Sequence, residues 1–472
     1  MSLGYASPNI AHGATGRSLE KALESGLEAS RDRRWKWGSF LTGLGSQLFV
    51  RLIGYLAFTE VFFLITLPLR IKAVSAAILR TPYTTIFTVL WLLNILAAIF
   101  ANLLNGSQFD ILARGVSRPV FIGLDVICLL SLWLRHPNGI EYFMLGYPIS
   151  LIASRFVFKS GAEEWLGSNT MDFTDWKSNT SYIVVGLLYP VVARYYRRSP
   201  LLIAAVTAAT AALFMVMGSR AFSLTQLLAA VLMVVFSGKA NRAAEGFRGI
   251  LKKRRSILLK IVVGCLIATA TAYGAGQAYK AMTRAGYLGD KELKKLEDQE
   301  DTAGGVLVGG RFGFFVGLWA ACHKPLLGHG SWPLDTYGYT QQVVDYFQID
   351  TQDAKLMTKK LYWIPSHSAI VGGWVEHGFL ELLFWLFVLF LIFVNFPRAA
   401  IVFPAYAGLY SLFFSEMIWH LLFSPAGHRV ILATKIAAFL IVDDAWRRQT
   451  RDIRADSSHT LRSRAAFGKT AL

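Results

Sequence analysis

Ala369 to Asn395 reads AIVGGWVEHGFLELLFWLFVLFLIFVN, a stretch whose apolar character is interrupted only near its start, by Glu376, His377 and Glu381. As a helix it would rise about 1.5 Å per residue, more than enough to cross the ~30 Å hydrocarbon layer of a bilayer. Similar runs recur on both sides of it. Before it come Leu52 to Leu69, Tyr83 to Leu104, Pro119 to Leu134, Tyr142 to Phe158, Ser181 to Arg194, Leu201 to Gly218, Ala221 to Phe236 and Ile257 to Tyr279. After it come Ala399 to Phe423 and Val430 to Asp443, which makes eleven candidate spans. Of the 472 residues, 54% are hydrophobic and 17% charged, a balance that excludes an ordinary soluble domain. A transmembrane β-barrel would show short alternating segments instead. The predicted fold class is therefore all-α, a polytopic transmembrane helical bundle of about 11–12 spans.

The net charge of +18 raises nucleic acid as a partner, but the positive residues sit in the connections between apolar runs. Lys239 to Arg255 holds seven Lys and Arg residues against the single acid Glu245. The Arg194 to Arg198 turn, the Arg398 connection and the tail from Arg447 onward are likewise basic. Retention of Lys and Arg on the cytoplasmic side explains this pattern, so no nucleic-acid partner is predicted. Alternation then puts Lys159 to Thr180, the Gly218 to Arg220 turn and the long Lys280 to His367 segment outside. Eleven crossings would leave the amino terminus outside, against the basic cluster Arg31, Arg33, Arg34 and Lys36. One more crossing is expected between Ser39 and Pro68, as a helical hairpin that raises the total to twelve; a surface helix followed by one span is the alternative.

The resulting division is a cytoplasmic tail at 1–38, transmembrane helices at 39–279, an external subdomain at 280–367, transmembrane helices at 368–443 and a cytoplasmic tail at 444–472. The polar start, Met1 to Lys36, predicts no cleavable signal peptide. Cys128 and Cys265 lie in apolar runs and Cys322 stands alone, so no disulfide framework is read.

Three external patches could carry chemistry. Gly218-Ser219-Arg220 is a tight turn between two spans; by itself, Arg220 reads as an interfacial arginine reaching to lipid phosphate. Gly309-Gly310-Arg311 precedes an aromatic run, so Arg311 falls at a helix start with Phe315 and Trp319 on one face. An amphipathic interfacial helix accounts for it equally well. Pro365-Ser366-His367-Ser368 leads into the Ala369 span. His367 and Glu376, nine residues apart, would face opposite ways on one continuous helix. Glu376 or Glu381 could instead lock the bundle by pairing with an arginine such as Arg155. The histidines are scattered, His323 and His329 read as solvent-facing loop residues, and no metal or other cofactor is predicted.

Taken in order, Gly218-Ser219-Arg220, Arg311 with Trp319, Pro325-Leu326-Leu327-Gly328-His329-Gly330, and His367-Ser368 with Glu376-His377-Gly378 resemble the O-antigen ligase and Wzy-type polysaccharide polymerase superfamily of membrane glycosyltransferases. The resemblance covers roughly Gly218 to Trp385, and it departs from the family's usual His-Asn pair at Ser368. It implies a metal-independent glycosyltransferase of the bacterial inner membrane with its active site facing the periplasm. The donor would be an undecaprenyl-diphosphate-linked glycan, drawn from the membrane lipid, and the acceptor another glycan or the lipid A core. Arg220 and Arg311 would bind the diphosphate, His367 would be catalytic, and Glu376 and Trp319 would support the site. Polymerisation of exopolysaccharide or O-antigen repeat units is the favoured activity. Ligation to lipid A core, or a flippase or exporter moving the same lipid without chemistry, are the alternatives.

Overall fold

A backbone in hydrocarbon must satisfy its own N–H and C=O groups, and helices do so within a single segment. The structure, a computed structural model, describes residues 33–51, 55–134, 136–156, 176–217, 219–240, 276–287, 289–300, 311–349, 362–424 and 429–469, with 266, 270, 273 and 274 singly. Helix α1 (33–45) leads into a small antiparallel hairpin, β1 (Phe49–Arg51) with β2 (Tyr55–Ala57), in which Phe49 faces Ala57. Then follow α2 (Phe58–Ile78), α3 (Pro82–Leu104), α4 (Phe109–Trp133), α5 (Gly139–Phe156), α6 (Trp176–Tyr195), α7 (Pro200–Val216) and α8 (Arg220–Ala240). Short helices α9 (276–284) and α10 (Asp290–Glu300) come next, then α11 (Phe312–His323), α12 (Tyr339–Phe347) and α13 (Ala369–His377). The chain closes with α14 (Phe379–Val402), α15 (Ala407–Phe423) and α16 (Arg429–Lys469).

The chain is a polytopic membrane protein with an extramembranous helical subdomain. Among the described residues, α2, α3, α4, α8 and α14 are long and apolar enough to cross a membrane. Their outward faces stay apolar: Ile65, Leu69, Phe100 and Leu104 are exposed, as lipid contact requires. Inside, one continuous core joins α4, α5, α6, α8, α14, α15 and α16, with Trp133, Trp385, Tyr196 and Phe439 fully buried.

Ten of the eleven apolar runs appear as helices; the Ile257 to Tyr279 run, the Lys239 to Arg255 loop, the Lys159 to Thr180 loop and Met1 to Lys36 lie largely outside the described residues. The extra segment near the amino terminus is α1, which begins inside the stretch read as a tail. It runs alongside α5 in the same direction: Trp35 stacks on His136 at 5.2 Å, Trp133 Nε1 donates to Ser39 Oγ at 3.2 Å, and Gln47 N–H donates to Ser150 Oγ at 2.8 Å. The first long helix starts at Phe58 rather than Leu52, because Glu60 reaches back to accept the Ala57 N–H at 2.7 Å.

The connections sort onto two faces. On one, Arg80 pairs with Asp444 at 3.0 Å, Arg398 with Asp443 at 3.2 Å, and Tyr406 with Glu141 at 3.2 Å. The basic turns gather there. Arg398, read as a connection, is instead inside α14, and the tail after Asp443 is a continuation of α16 rather than a separate segment. On the other face sits the subdomain, α11, α12 and α13 around a second core of Phe312, Val316, Tyr339, Val343, Ile364 and Val375.

The stretch from Ala369 to Asn395 is thus two helices, not one. Gly378 breaks it at φ +74°, a conformation that side chains with a Cβ resist, and a Cβ there would lie 2.1 Å from the Leu326 carbonyl oxygen. The Pro325 to Gly330 segment fills the break. His329 and Gly330 N–H groups donate to the Val375 and Glu376 carbonyls at 2.7 and 2.9 Å, satisfying the end of α13, and Phe379 N–H donates to Leu326 O at 3.1 Å. Two of the sequence elements, one before α12 and one at the end of α13, are therefore the two halves of one clasp.

Candidate functional site

Arg220 opens α8. The turn before it is tied down by Ser219, whose N–H donates to Phe214 O at 2.8 Å and whose hydroxyl bonds Ser181 at 3.1 Å; Gly218 itself lies outside the described residues. The Arg220 guanidinium donates to Tyr279 Oη at 2.6 Å and lies 4.1 Å over the centre of the same ring. Arg311 is the residue preceding α11. It donates to Phe423 O at 2.8 Å, where α15 ends, and stacks 4.8 Å from the Trp419 ring. Burial, and secondarily the positive charge of Arg220 nearby, push the Arg311 guanidinium below the usual arginine range.

His367 is exposed and held at φ +44°, an uncommon conformation for a residue with a side chain. Its ring lies against Gly313, where a Cβ would come within 2.1 Å of its Cδ2. The next residue, Ser368, is the cap of α13: its hydroxyl accepts from Val371 N–H at 3.2 Å and donates to Leu421 O at 2.7 Å. Because the helix begins only at Ala369, the facing relation between His367 and Glu376 on one helix does not arise. Arg220, Arg311 and His367 therefore stand at the starts of α8, α11 and α13, and these three starts are neighbours. Helix starts carry partial positive charge, so an arginine there is unfavourable for its own helix; the Tyr279 ring offsets this for Arg220, the Phe423 carbonyl and Trp419 ring offset it for Arg311, and the cluster of positive charge is one that also favours an anion.

Beside this rim a cavity of about 80 Å³ enters the bundle. Ala221, Phe222 and Thr225 of α8 form one wall, Tyr147, Tyr182 and Tyr189 another, and Trp419, His420 and Glu416 of α15 the third. Lys435 and Glu416 meet at its bottom at 2.5 Å. Arg155 lies within electrostatic reach of Tyr147 and Tyr182, not of Glu376 or Glu381 as the sequence reading allowed.

The two residues read as support lie elsewhere. Glu376 pairs with Arg118 of α4 at 3.2 Å and joins the subdomain to the bundle. Trp319 donates from Nε1 to Gln342 at 2.9 Å and packs on Tyr346, inside the subdomain. His329 is not solvent-facing: it is buried, with Nε2 3.0 Å from Ala320 O, and burial holds its pKa below the usual histidine value. His323 is exposed, with Nδ1 2.8 Å from Trp319 O. Among the described residues no His, Cys, Asp and Glu side chains group as metal ligands.

One buried network resembles a hydrolase triad. Ser331 Oγ lies 2.9 Å from His377 Nε2, and His377 Nδ1 bonds Glu381, which also accepts from Trp385 Nε1 at 3.0 Å. Asn102 closes it by donating to Ser331 Oγ at 2.9 Å, and all five residues are buried. The Ser331 hydroxyl is buried against Gly115, and the network locks α3, the clasp and α14 together.

Sequence reasoning named the three rim residues and did not name Glu416, Lys435 and Trp419, which lie beside them. The missed signal was charge within apolar runs: Glu416 and Lys435 each sit inside a predicted span, where an ionisable side chain is costly and usually faces a polar cavity. No family model matches the chain, and no curated protein matches it significantly.

Proposed function

We propose that this chain is a metal-independent membrane glycosyltransferase that uses an undecaprenyl-diphosphate-linked glycan and polymerises exopolysaccharide or O-antigen repeat units. The observation that carries the reading is the gathering of Arg220, Arg311 and His367 at three adjacent helix starts beside an aromatic-walled cavity that holds a buried charge pair. Breaking the bond between the sugar and the diphosphate leaves negative charge on the departing phosphate. Two guanidinium groups offer forked, charge-assisted hydrogen bonds to it. The acceptor hydroxyl attacks the anomeric carbon and loses its proton to the exposed His367 imidazole, while the diphosphate leaves with the bonding electron pair. Basic connections gathered on the face away from the subdomain favour a cytoplasmic position for that face, and hence a periplasmic one for the rim.

The test is transfer by the purified protein in nanodiscs, given a defined lipid-linked repeat unit. Lengthened lipid-linked chains are the expected product, whereas product formed only on added lipid A core would mark a ligase. Arg311→Lys keeps the charge and loses the fork, so turnover should drop; His367→Ala should slow it on the order of 100- to 10,000-fold. No new glycosidic bond under any condition would refute the reading and leave a carrier of lipid-linked glycan.

A further inference from the structure

The rim chemistry leaves Glu416 and Lys435 without a task. Glu416 is seven residues, about 10 Å of helix, below the Phe423 carbonyl that holds Arg311. Its carboxylate accepts from Lys435 Nζ at 2.5 Å, from Tyr189 Oη, and from Gln226 Nε2 at 3.5 Å. Gln226 is fully buried, and its Oε1 has no hydrogen-bond partner among the described residues. Burying a charge pair and a spare amide oxygen in a membrane bundle is expensive, and the core needs neither. The charge pair lines the cavity.

Three kinds of occupant reach a cavity next to a diphosphate site: a polyprenyl tail, a further anion, or the sugar bonded to the diphosphate. A hydrocarbon tail would strip water from Glu416, Lys435 and Thr225 and return no hydrogen bonds. An anion would meet the Glu416 carboxylate, while the Lys435 ammonium is already engaged by it. A sugar ring fits both surfaces. Its C–H faces pack on Tyr182, Phe222 and Trp419, and its hydroxyls find the carboxylate and the Thr225 oxygen. At about 80 Å³ the space holds on the order of five or six waters, enough for one ring to displace and too little for a chain of sugars.

Resting on the transferase reading, we infer that this cavity is the subsite for the first sugar of the donor, the ring bonded to diphosphate, and that it selects an uncharged monosaccharide there. The cationic rim and the internally neutralised floor divide the headgroup between them. Specificity for the donor sugar then resides in Ala221, Thr225 and Glu416, not in the arginines.

The test measures binding to the purified full-length protein of farnesyl diphosphate and of farnesyl diphosphates bearing glucose, galactose or N-acetylglucosamine. At least one sugar-bearing probe should bind about tenfold more tightly than the bare one. Ala221→Leu, which narrows the cavity, should erase that preference, about a tenfold loss, while the bare probe binds as before. Thr225→Val, a nearly isosteric change, should reduce the preference about threefold or more and stands in if the first variant does not fold. Absence of any preference in the wild type, or equal loss for bare and sugar-bearing probes in the variants, overturns the inference. Failure of the transferase reading looks different: the bare probe does not bind, or Arg311→Ala leaves its binding unchanged, and the subsite assignment falls with it.

Discussion

Replacing Gly313 by Ala places one methyl group where the His367 ring lies. The new Cβ would be 2.1 Å from Cδ2 and 2.8 Å from Nε2. Carbon atoms rest at about 3.5 Å, so the ring must retreat by roughly 1.4 Å. The retreat is open to it, because His367 is exposed and its ring can swing about χ1, whereas its backbone at φ +44° has little room to adjust. Stability should therefore hardly change: Ala gains up to about 1 kcal/mol over Gly in a helix, which offsets the lost contact. Catalysis should suffer, since a shift of ~1 Å in a reacting group costs on the order of 100-fold in rate. The assay is turnover of the lipid-linked donor beside the thermal unfolding midpoint, for Gly313→Ala, His367→Ala and the double variant. If His367 is the group displaced, the double variant is no slower than His367→Ala alone. Full turnover in Gly313→Ala, or losses that multiply in the double variant, would refute the placement of His367 in the chemistry.

Glu376→Gln strands Arg118 in a largely buried position and should cost about 2–3 kcal/mol of stability while turnover per folded molecule persists; unchanged unfolding with lost turnover would return Glu376 to the chemistry. Gly378→Ala meets both a left-handed backbone and the Leu326 carbonyl, so a loss of at least ~3 kcal/mol is expected, read as new protease cleavage between Lys324 and Ser331. His329 titrates below its ordinary value of 6.5, so its contribution to subdomain stability is complete above that pH and is lost as pH falls below it. Protection factors of α11 amides, corrected for the intrinsic pH dependence of exchange, should fall from pH 7 towards pH 5.5, and His329→Gln should flatten that response.

Hydropathy by itself determined that this chain is a helical membrane protein, because a bilayer permits an uncharged run of that length only one common structure. It marks Arg220, Arg311 and His367 only as boundaries where apolar helices begin; the resemblance of the ordered motifs is what singles them out as a candidate site. The helix break at Gly378 was not legible, because its cause, the Leu326 carbonyl pressed against it, lies in a segment about fifty residues earlier in the chain. Glu376 met Arg118 rather than Arg155 for a like reason: spacing along a chain names the face of a helix but not the neighbour that face meets. Only tertiary packing decided that three helix starts share one rim, and that Glu416 and Lys435 from two different helices close the cavity beneath it. Covalent neighbours and bilayer energetics act locally and can be read in order. The partner of a buried charge is settled by which helices pack together, a property of the whole core.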